Sequence, residues 1–127
     1  MDIDPAQFAA RWAAAWNAHD VEAVLAHFHE EAAFTSPFAA QVMPETGGVL
    51  RGKAAIRAYW TAGLARIPDL HFTVEGVFAG VDCLVIAYTN QKGTRVSEVL
   101  RFAGGKVIEG HGTYPVDVAN PTGAQDG

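Results

Sequence analysis

The chain has 127 residues, half of them hydrophobic and 18 % charged, and its formal net charge is −5. This size and composition indicate one globular domain and exclude general disorder. No basic run is present to neutralise phosphates, so we expect no nucleic-acid partner. The apolar runs are too short for a membrane span and the first residues lack the pattern of a secretory leader, which predicts a cytoplasmic protein without membrane contact.

The N-terminal part of the sequence predicts a hairpin of two helices. Asp4 before Pro5 is typical of an N-cap followed by proline at the first helical position. Asp20 is placed to cap a second, shorter helix. Apolar residues recur at helical spacing in both segments: Phe8, Trp12 and Trp16 in the first, and Val21, Val24, Leu25 and Phe28 in the second.

The middle of the sequence predicts a short strand, a loop and a third helix. Residues 32–36 end before Pro37, as expected of a strand at the edge of a sheet. Residues 38–51 contain a proline and glycines without a sustained period, which predicts a loop; loops of this length often cover a functional site, and the sequence leaves open whether this one does. A helix then begins near Gly52 and ends at Pro68.

The rest of the sequence predicts four consecutive strands, at residues 70–78, 84–90, 96–102 and 107–114. Glycine-bearing turns separate them, so the strands form an antiparallel meander. Helices followed by a sheet indicate an α+β fold. Residues 117–127 are rich in proline, glycine and small polar side chains, and we expect this segment to be a flexible tail outside the domain of residues 1–116.

The last predicted hairpin brings two polar residues together. A two-residue turn at Gly104 and Gly105 places Glu98 directly opposite His111, with Cβ atoms about 4.5 to 5.5 Å apart. Glu98 alternates in phase with apolar neighbours, so its carboxylate is expected on the core face, beside a partner or a water-lined hollow. The pair is therefore a candidate for general acid/base catalysis, or else a polar pair that satisfies itself inside a core.

Aromatic residues supply the candidate walls of a pocket for a small apolar molecule. If the turn at Lys92 and Gly93 holds three residues, Tyr88 shares the face of Glu98 and is a third candidate catalytic residue, whose hydroxyl polarises a carbonyl; otherwise it lies on the outer face. The candidate substrate-binding residues are Trp16, Phe34, Tyr59, Trp60, Phe72, Leu100 and Tyr114. The same aromatic residues are also compatible with a plain hydrophobic core.

No metal or cofactor site is expected from the sequence. His27 and His29 are two residues apart near a predicted helix end, where their side chains point in different directions and cannot jointly hold a metal. No glycine-rich turn lies between a strand and a helix as dinucleotide binding requires. Ser36 and Ser97 lack the surroundings of a hydrolase nucleophile.

Five segments resemble the nuclear transport factor 2-like superfamily, and within it the SnoaL-like branch. The resemblance covers residues 8–114 and rests on WAAAWNAHD followed by VEAVLAHF, on FTSPF, on RGKAAIRAYW and on RFAGGKVIEGHGTY. It implies a cone-shaped, curved antiparallel sheet packed on N-terminal helices, with an enclosed pocket and a homodimer formed through the outer face of the sheet, where Arg95, Val99 and Arg101 are expected.

The resemblance implies several functions rather than one. Similar proteins include ketosteroid isomerases, polyketide cyclases, dehydratases, epoxide hydrolases and proteins without catalysis. Many such enzymes use an aspartate, whereas this chain offers Glu98 and His111, with Asp117 already past Pro115. We therefore expect cofactor-independent isomerase, cyclase or lyase chemistry on a small apolar carbonyl compound, or alternatively a non-catalytic protein that binds a small hydrophobic ligand.

Overall fold

The computed structural model describes residues 2–116, so the predicted tail at residues 117–127 lies outside the described residues. The helices are α1 (Pro5–Asn17), α2 (Val21–Leu25), α3 (Pro37–Val42) and α4 (Lys53–Arg66), with a 3-10 turn at Pro44–Thr46. The strands are β1 (Phe28–Thr35), β2 (Val49–Arg51), β3 (Thr73–Gly80), β4 (Cys83–Thr89), β5 (Arg95–Ala103) and β6 (Lys106–Thr113).

The predicted starts of the two N-terminal helices are confirmed. The Asp4 carboxylate accepts a hydrogen bond of 3.0 Å from the Gln7 amide at the start of α1. The Asp20 carboxylate does the same for Ala23 at the start of α2. Each side chain satisfies one backbone donor that the first helical turn leaves without an internal partner, which explains why both helices begin where they do.

The strands form one six-stranded sheet in the order β2-β1-β6-β5-β4-β3. Strands β3 to β6 are the predicted antiparallel meander. The N-terminal helices pack on one face of this sheet, called here the inner face, where α1 contacts β3 and α4 contacts β1. The predicted α+β fold is confirmed. Bulges in β3 and between β5 and β6 interrupt the ladders, and such bulges bend and twist a sheet.

The prediction of a short edge strand at residues 32–36 is wrong. Strand β1 begins at Phe28, which the sequence pattern assigned to the second helix, and lies inside the sheet between β2 and β6. It runs parallel to β6 and antiparallel to β2. The sequence signal failed because the partners of β1 come from β2 and from the far end of the chain.

The prediction of an unstructured loop at residues 38–51 is also wrong. Ser36 caps α3 by accepting a hydrogen bond of 3.1 Å from the Phe38 amide, and Pro37 occupies the first helical turn. The 3-10 turn and β2 follow at once. These elements are too short to show a period, and pairing with β1 rather than local propensity holds β2 in place. Among residues 2–116, no helix has the length and apolar character needed to cross a membrane.

Candidate functional site

A cavity of about 50 Å³ lies between the helices and the inner face of the sheet, with room for a few water molecules. Its walls come from α1, α3, α4, β1, β4 and β5 and from the segments that follow α4 and β6. The lining residues are Trp12, Trp16, Phe34, Ser36, Phe38, Tyr59, Trp60, Gly63, Leu64, Ile67, Leu70, Phe72, Tyr88, Glu98 and Tyr114.

The aromatic rings around the cavity form one connected cluster. Phe72 lies 5.5 Å from Trp12 and 4.3 Å from Tyr88, measured between ring centroids. On the opposite side, Trp16 and Trp60 meet edge to face at 4.9 Å. Offset and edge-to-face pairs at such distances are favourable arrangements of aromatic rings, so the walls are held by mutual packing.

Glu98 is the one carboxylate among the described lining residues. It lies on β5 opposite Ile86 of β4, and only 7 % of its surface is exposed. The Tyr88 hydroxyl donates a hydrogen bond of 3.2 Å to Glu98 Oε1. The turn between β4 and β5 holds residues 91–93, which lie between the hydrogen-bonded residues Asn90 and Thr94. This is the three-residue turn that was expected to place Tyr88 on the same face as Glu98.

Burial controls the protonation of Glu98. Desolvation raises the pKa of this carboxyl, the Tyr88 hydrogen bond lowers it, and the balance places it at about 7. The phenols beside it respond in the same sense, since desolvation and the nearby carboxylate raise the pKa of Tyr88 and of Tyr59. At neutral pH the cavity therefore holds protonated phenols and one carboxyl group that titrates.

A second polar corner lies next to Glu98. The hydroxyls of Tyr59 and Ser36 lie together there, and the Ser36 hydroxyl partly offsets the rise in the pKa of Tyr59. Gly112 separates this corner from the carboxylate, because a Cβ atom at Gly112 would stand 3.4 Å from Glu98 Oε1 and 3.5 Å from Ser36 Oγ. The absent side chain leaves space between the Glu98 carboxylate and the Ser36 hydroxyl, which is a suitable place for the polar atoms of a ligand.

The predicted pairing of Glu98 with His111 is wrong. The hairpin begins as expected, with Phe102 opposite Val107, but a bulge then inserts one residue into β6. Beyond it Glu98 lies opposite Gly112, and His111 lies opposite Val99. Because side chains alternate between the two faces of a strand, this one-residue shift moves the imidazole to the outer face, away from the carboxylate.

His111 belongs instead to a polar cluster on the outer face. Its Nδ1 atom lies 2.6 Å from Thr35 Oγ1, and its Nε2 atom lies 3.4 Å from Glu109 Oε2. Glu109 in turn binds the Arg101 guanidinium, with a contact of 2.7 Å from Nε, and this ion pair lowers the pKa of the Glu109 carboxyl. No atom of this cluster lies in the cavity lining.

The structure brings most of the predicted pocket residues together. Tyr88 and six of the seven candidate substrate-binding residues line the cavity, namely Trp16, Phe34, Tyr59, Trp60, Phe72 and Tyr114. The seventh, Leu100, is fully buried against β6 and lines no part of it. Sequence reasoning missed Ser36 as a lining residue, although a serine before proline is a recognisable helix cap that would have placed it at a helix start.

Metal-binding groups are not clustered in the described part of the chain. Within residues 2–116, no group of three or more His, Cys, Asp or Glu side chains is placed to hold a metal ion. His27 and His29, the nearest such pair in sequence, point to different surroundings: His27 packs against Phe8, and His29 Nε2 lies 2.6 Å from the Ala103 carbonyl.

Comparison with known families identifies the domain. The family model described as a SnoaL-like domain matches residues 9–110, most of the chain. The chain belongs to the SnoaL-like family. A SnoaL-like protein of unknown function from Burkholderia thailandensis E264 is 39 % identical to it, with a TM-score of 0.82 over 87 % of this chain and 93 % of that one. No curated protein matches the chain.

Two more distant structures share the fold of this SnoaL-like chain. TerC, co-crystallised with polyporic acid, is 16 % identical, with a TM-score of 0.73 over 88 % of this chain and 92 % of that one. A hypothetical protein with a ketosteroid isomerase-like fold from Catenulispora acidiphila DSM 44928, in complex with trimethylamine, is 19 % identical, with a TM-score of 0.68 over 89 % and 88 %. At these identities the likeness extends to the fold alone.

Proposed function

We propose that this chain catalyses a cofactor-independent isomerase-, cyclase- or lyase-type reaction on a small apolar carbonyl compound, with Glu98 as the general base. The observation that carries the proposal is that Glu98 is buried and is the one carboxylate among the described residues that line the aromatic cavity. Its pKa of about 7 leaves it partly ionised at neutral pH, so it accepts a proton in one step and returns it in another.

Each polar group around the cavity has a role in this reaction. Glu98 takes a proton from the carbon next to the carbonyl, and the electron pair of the broken C–H bond moves toward the carbonyl oxygen. The Tyr59 and Ser36 hydroxyls lie in the neighbouring corner and donate hydrogen bonds to the developing oxyanion. Tyr88 holds Glu98 Oε1 in position. Structures of this fold that were co-crystallised with polyporic acid or are in complex with trimethylamine support a small-molecule ligand.

Hydrogen–deuterium exchange tests the base without knowledge of the natural substrate. A panel of small cyclic and aryl ketones is incubated in D₂O with the protein, and deuterium at the carbon next to the carbonyl is followed by NMR. We expect Glu98→Gln to slow catalysed exchange by about 100-fold or more while the fold is retained. Glu45→Gln removes an exposed carboxylate from the 3-10 turn and serves as the control. Unchanged exchange in Glu98→Gln would contradict the proposal.

Tyr88→Phe tests whether Tyr88 positions and tunes Glu98. The substitution keeps the ring that packs between Trp12 and Phe72 but removes the hydroxyl that lowers the pKa of Glu98. The ionised base is the active form, so we expect the rising limb of the pH–rate profile to move to higher pH in this variant. A profile with the wild-type midpoint would show that Tyr88 only fills space.

The alternative is a non-catalytic protein that binds a small hydrophobic ligand. It is favoured by the existing Tyr88 hydrogen bond, which already satisfies Glu98 in part, and by the lack of a histidine, lysine, arginine or second carboxylate among the described lining residues. A thermal-shift screen of steroids, terpenes and aromatic acids tests it, since a ligand that binds only the folded state raises its melting temperature. Stabilisation without exchange would favour the alternative.

We further propose that the partner of this chain is a second copy, bound through the outer face of the sheet. Cross-strand partners form a continuous row over that face: Val49, Thr35, His111, Val99, Val85 and Phe78. Phe78, at one end of the row, is 62 % exposed. Four of the six residues in the row are apolar, and the two at its ends, Val49 and Phe78, are exposed. Such a patch beside groups of both charge signs, Arg101 and Glu109, suits a two-fold interface in which the same patch meets itself.

A further inference from the structure

We infer that the cavity is a binding site for small alkylammonium ions, held by the Glu98 carboxylate and by the faces of the surrounding aromatic rings. The inference rests on the cavity being the ligand site of the proposed function, but not on any chemistry at Glu98. It names a class of ligand that differs in charge from the carbonyl compound proposed as substrate.

The first argument is the unbalanced charge of the cavity. Glu98 is buried, and its hydrogen-bond partner Tyr88 is a neutral hydroxyl. No lysine, arginine or histidine stands among the lining residues in the described part of the chain. A buried carboxylate without a cation is costly, and a bound cation offsets part of that cost. A ligand that carries a positive charge supplies the group that the protein leaves out.

The second argument is the composition of the walls. All three tryptophans of the chain line the cavity, together with three phenylalanines and three tyrosines. The negative face of an aromatic ring attracts an organic cation, most strongly for tryptophan, and the attraction increases when water is excluded. A trialkylammonium group is apolar on its surface and positive overall, so it gains from the rings and from Glu98 at once.

The third argument gives the inference a pH signature. The groups that face Glu98 are the hydroxyls of Tyr88 from β4, Tyr59 from α4, Ser36 at the start of α3 and Tyr114 after β6, while α1 contributes the non-titrating Trp12 and Trp16. The raised pKa values of Tyr59 and Tyr88 keep both phenols protonated at neutral pH. These two phenols therefore stay neutral while Glu98 changes charge near pH 7, and a bound cation favours the ionised form of Glu98. Affinity should rise with pH, and binding near pH 6 should release a proton.

A pair of probes that differ only in charge tests the inference. Choline and its neutral isostere 3,3-dimethylbutan-1-ol have the same shape, and tetramethylammonium serves as a smaller cation. Binding is followed by tryptophan fluorescence, because every tryptophan lines the cavity, and by calorimetry in two buffers of different ionisation enthalpy. The variants are Glu98→Gln and, as a control with the same change in net charge, Glu45→Gln.

We expect choline to bind about tenfold more tightly than the isostere at pH 8, with a smaller ratio at pH 5.5. The ratio should approach one in Glu98→Gln and remain in Glu45→Gln. Equal binding of the two probes, a ratio that survives in Glu98→Gln, or no binding of either cation up to about 10 mM would overturn the inference. The ketone exchange assay is scored separately, so catalysis without cation preference rejects this inference alone, and cation preference without exchange rejects only the proposed reaction.

Discussion

Glu98 is a buried carboxylate whose hydrogen-bond partner is neutral, a combination that most proteins avoid. It is a carboxylate with almost no access to water, and within the described residues that line the cavity its hydrogen bond comes from the Tyr88 hydroxyl and not from a cation. Such a group is retained at a cost in stability, because its charged form is poorly solvated in the folded protein and well solvated in the unfolded chain. The cost is measurable through its dependence on pH.

We predict that the free energy of unfolding falls as the pH rises from about 4.5 to about 7, the ordinary and the folded-state pKa of Glu98. The folded protein binds this proton more tightly than the unfolded chain does, so the stabilisation is complete at low pH and is lost as the carboxyl ionises. The shift corresponds to roughly 3 kcal/mol. Urea unfolding at pH 5 and pH 8 measures the loss.

The difference between the wild type and Glu98→Gln isolates this effect. The half-buried His27, whose pKa is lowered by burial, contributes with the opposite sign in both proteins and cancels in the difference. Glu98→Gln cannot ionise, so its stability should lack the decrease. A wild type and variant with parallel pH dependence would show that Glu98 titrates normally.

Two glycines of β6 make a second test at the level of single residues. A Cβ atom at Gly110 would lie 2.9 Å from Phe34 Cδ1 and 3.2 Å from Leu100 Cδ2, whereas at Gly112 the nearest atom is at 3.4 Å. Neither glycine has a positive φ, so alanine meets no backbone penalty at either position. We predict that Gly110→Ala lowers the free energy of unfolding by about 1–3 kcal/mol and that Gly112→Ala changes it by less than about 1 kcal/mol.

Urea denaturation of the two variants side by side measures this contrast. Each variant is the control for the other, because the substitution is identical and the two positions are two residues apart on the same strand. Equal losses would mean that β6 tolerates or rejects alanine for reasons other than the contact with Phe34.

Among the elements, β6 does most to shape the site, because its bulge assigns residues to faces. After the bulge, Gly112 faces the cavity beside Glu98, while His111 faces outward and joins β6 to Thr35 of β1. Without the inserted residue, the imidazole would occupy the place of Gly112. The bulge therefore leaves a cavity where a filled, self-paired core would otherwise form.

The junction between α1 and the start of β3 is a second element-level feature. The Asn17 side chain donates a hydrogen bond of 3.0 Å to the Phe72 carbonyl and accepts one of 2.7 Å from the Phe72 amide. One amide side chain thus pairs both backbone groups of a residue that lines the cavity, in the manner of a sheet ladder. His19 Nε2 lies 2.9 Å from the Leu70 carbonyl and supports the same junction.

We predict that Asn17→Ala lowers the free energy of unfolding by about 2 kcal/mol, because it leaves two partly buried backbone groups of Phe72 without a partner. Asn17→Asp keeps an acceptor for the amide and loses only the donor, so its loss should be smaller. Thermal and urea unfolding measure both variants. An Asn17→Ala protein as stable as the wild type would show that water replaces the side chain fully.

At the scale of the whole molecule, the two faces of the sheet differ in what they contact. The inner face and the helices enclose the cavity, and the outer face presents the row of side chains that ends at Phe78. No side chain of the row lines the cavity. The two are nevertheless linked through the backbone, because Thr35 on the outer face is followed directly by Ser36, which lines the cavity. The proposed interface and the cavity thus meet at two consecutive residues, at the end of β1 and the start of α3.

We predict that the wild type sediments as a dimer at micromolar concentrations and that Phe78→Asp sediments as a monomer, because the substitution replaces the most exposed apolar ring of the proposed contact with a charge. Val81→Asp is the matched control, since Val81 is 93 % exposed in the turn after β3 and lies outside the row. Analytical ultracentrifugation measures the three proteins. A monomeric wild type would remove the proposed interface.

The sequence by itself determined the features that act over a few residues. The caps at Asp4 and Asp20, the glycine turn at residues 104–105 and the alternation that puts Glu98 on the core face all follow from local backbone chemistry and side-chain period. The inclusion of most aromatic residues in one cavity also follows, because their spacing directs them to the buried faces of their elements.

Only the tertiary structure decided the features that depend on distant partners. The position of β1 inside the sheet and the orientation of His111 rest on contacts such as that of Thr35 with His111, which are 76 residues apart in the chain. The position of Ser36 in the cavity lining likewise depends on partners that are distant in the sequence. A bulge leaves no clear mark in the sequence of its own strand, and one inserted residue is enough to exchange the faces of every residue beyond it.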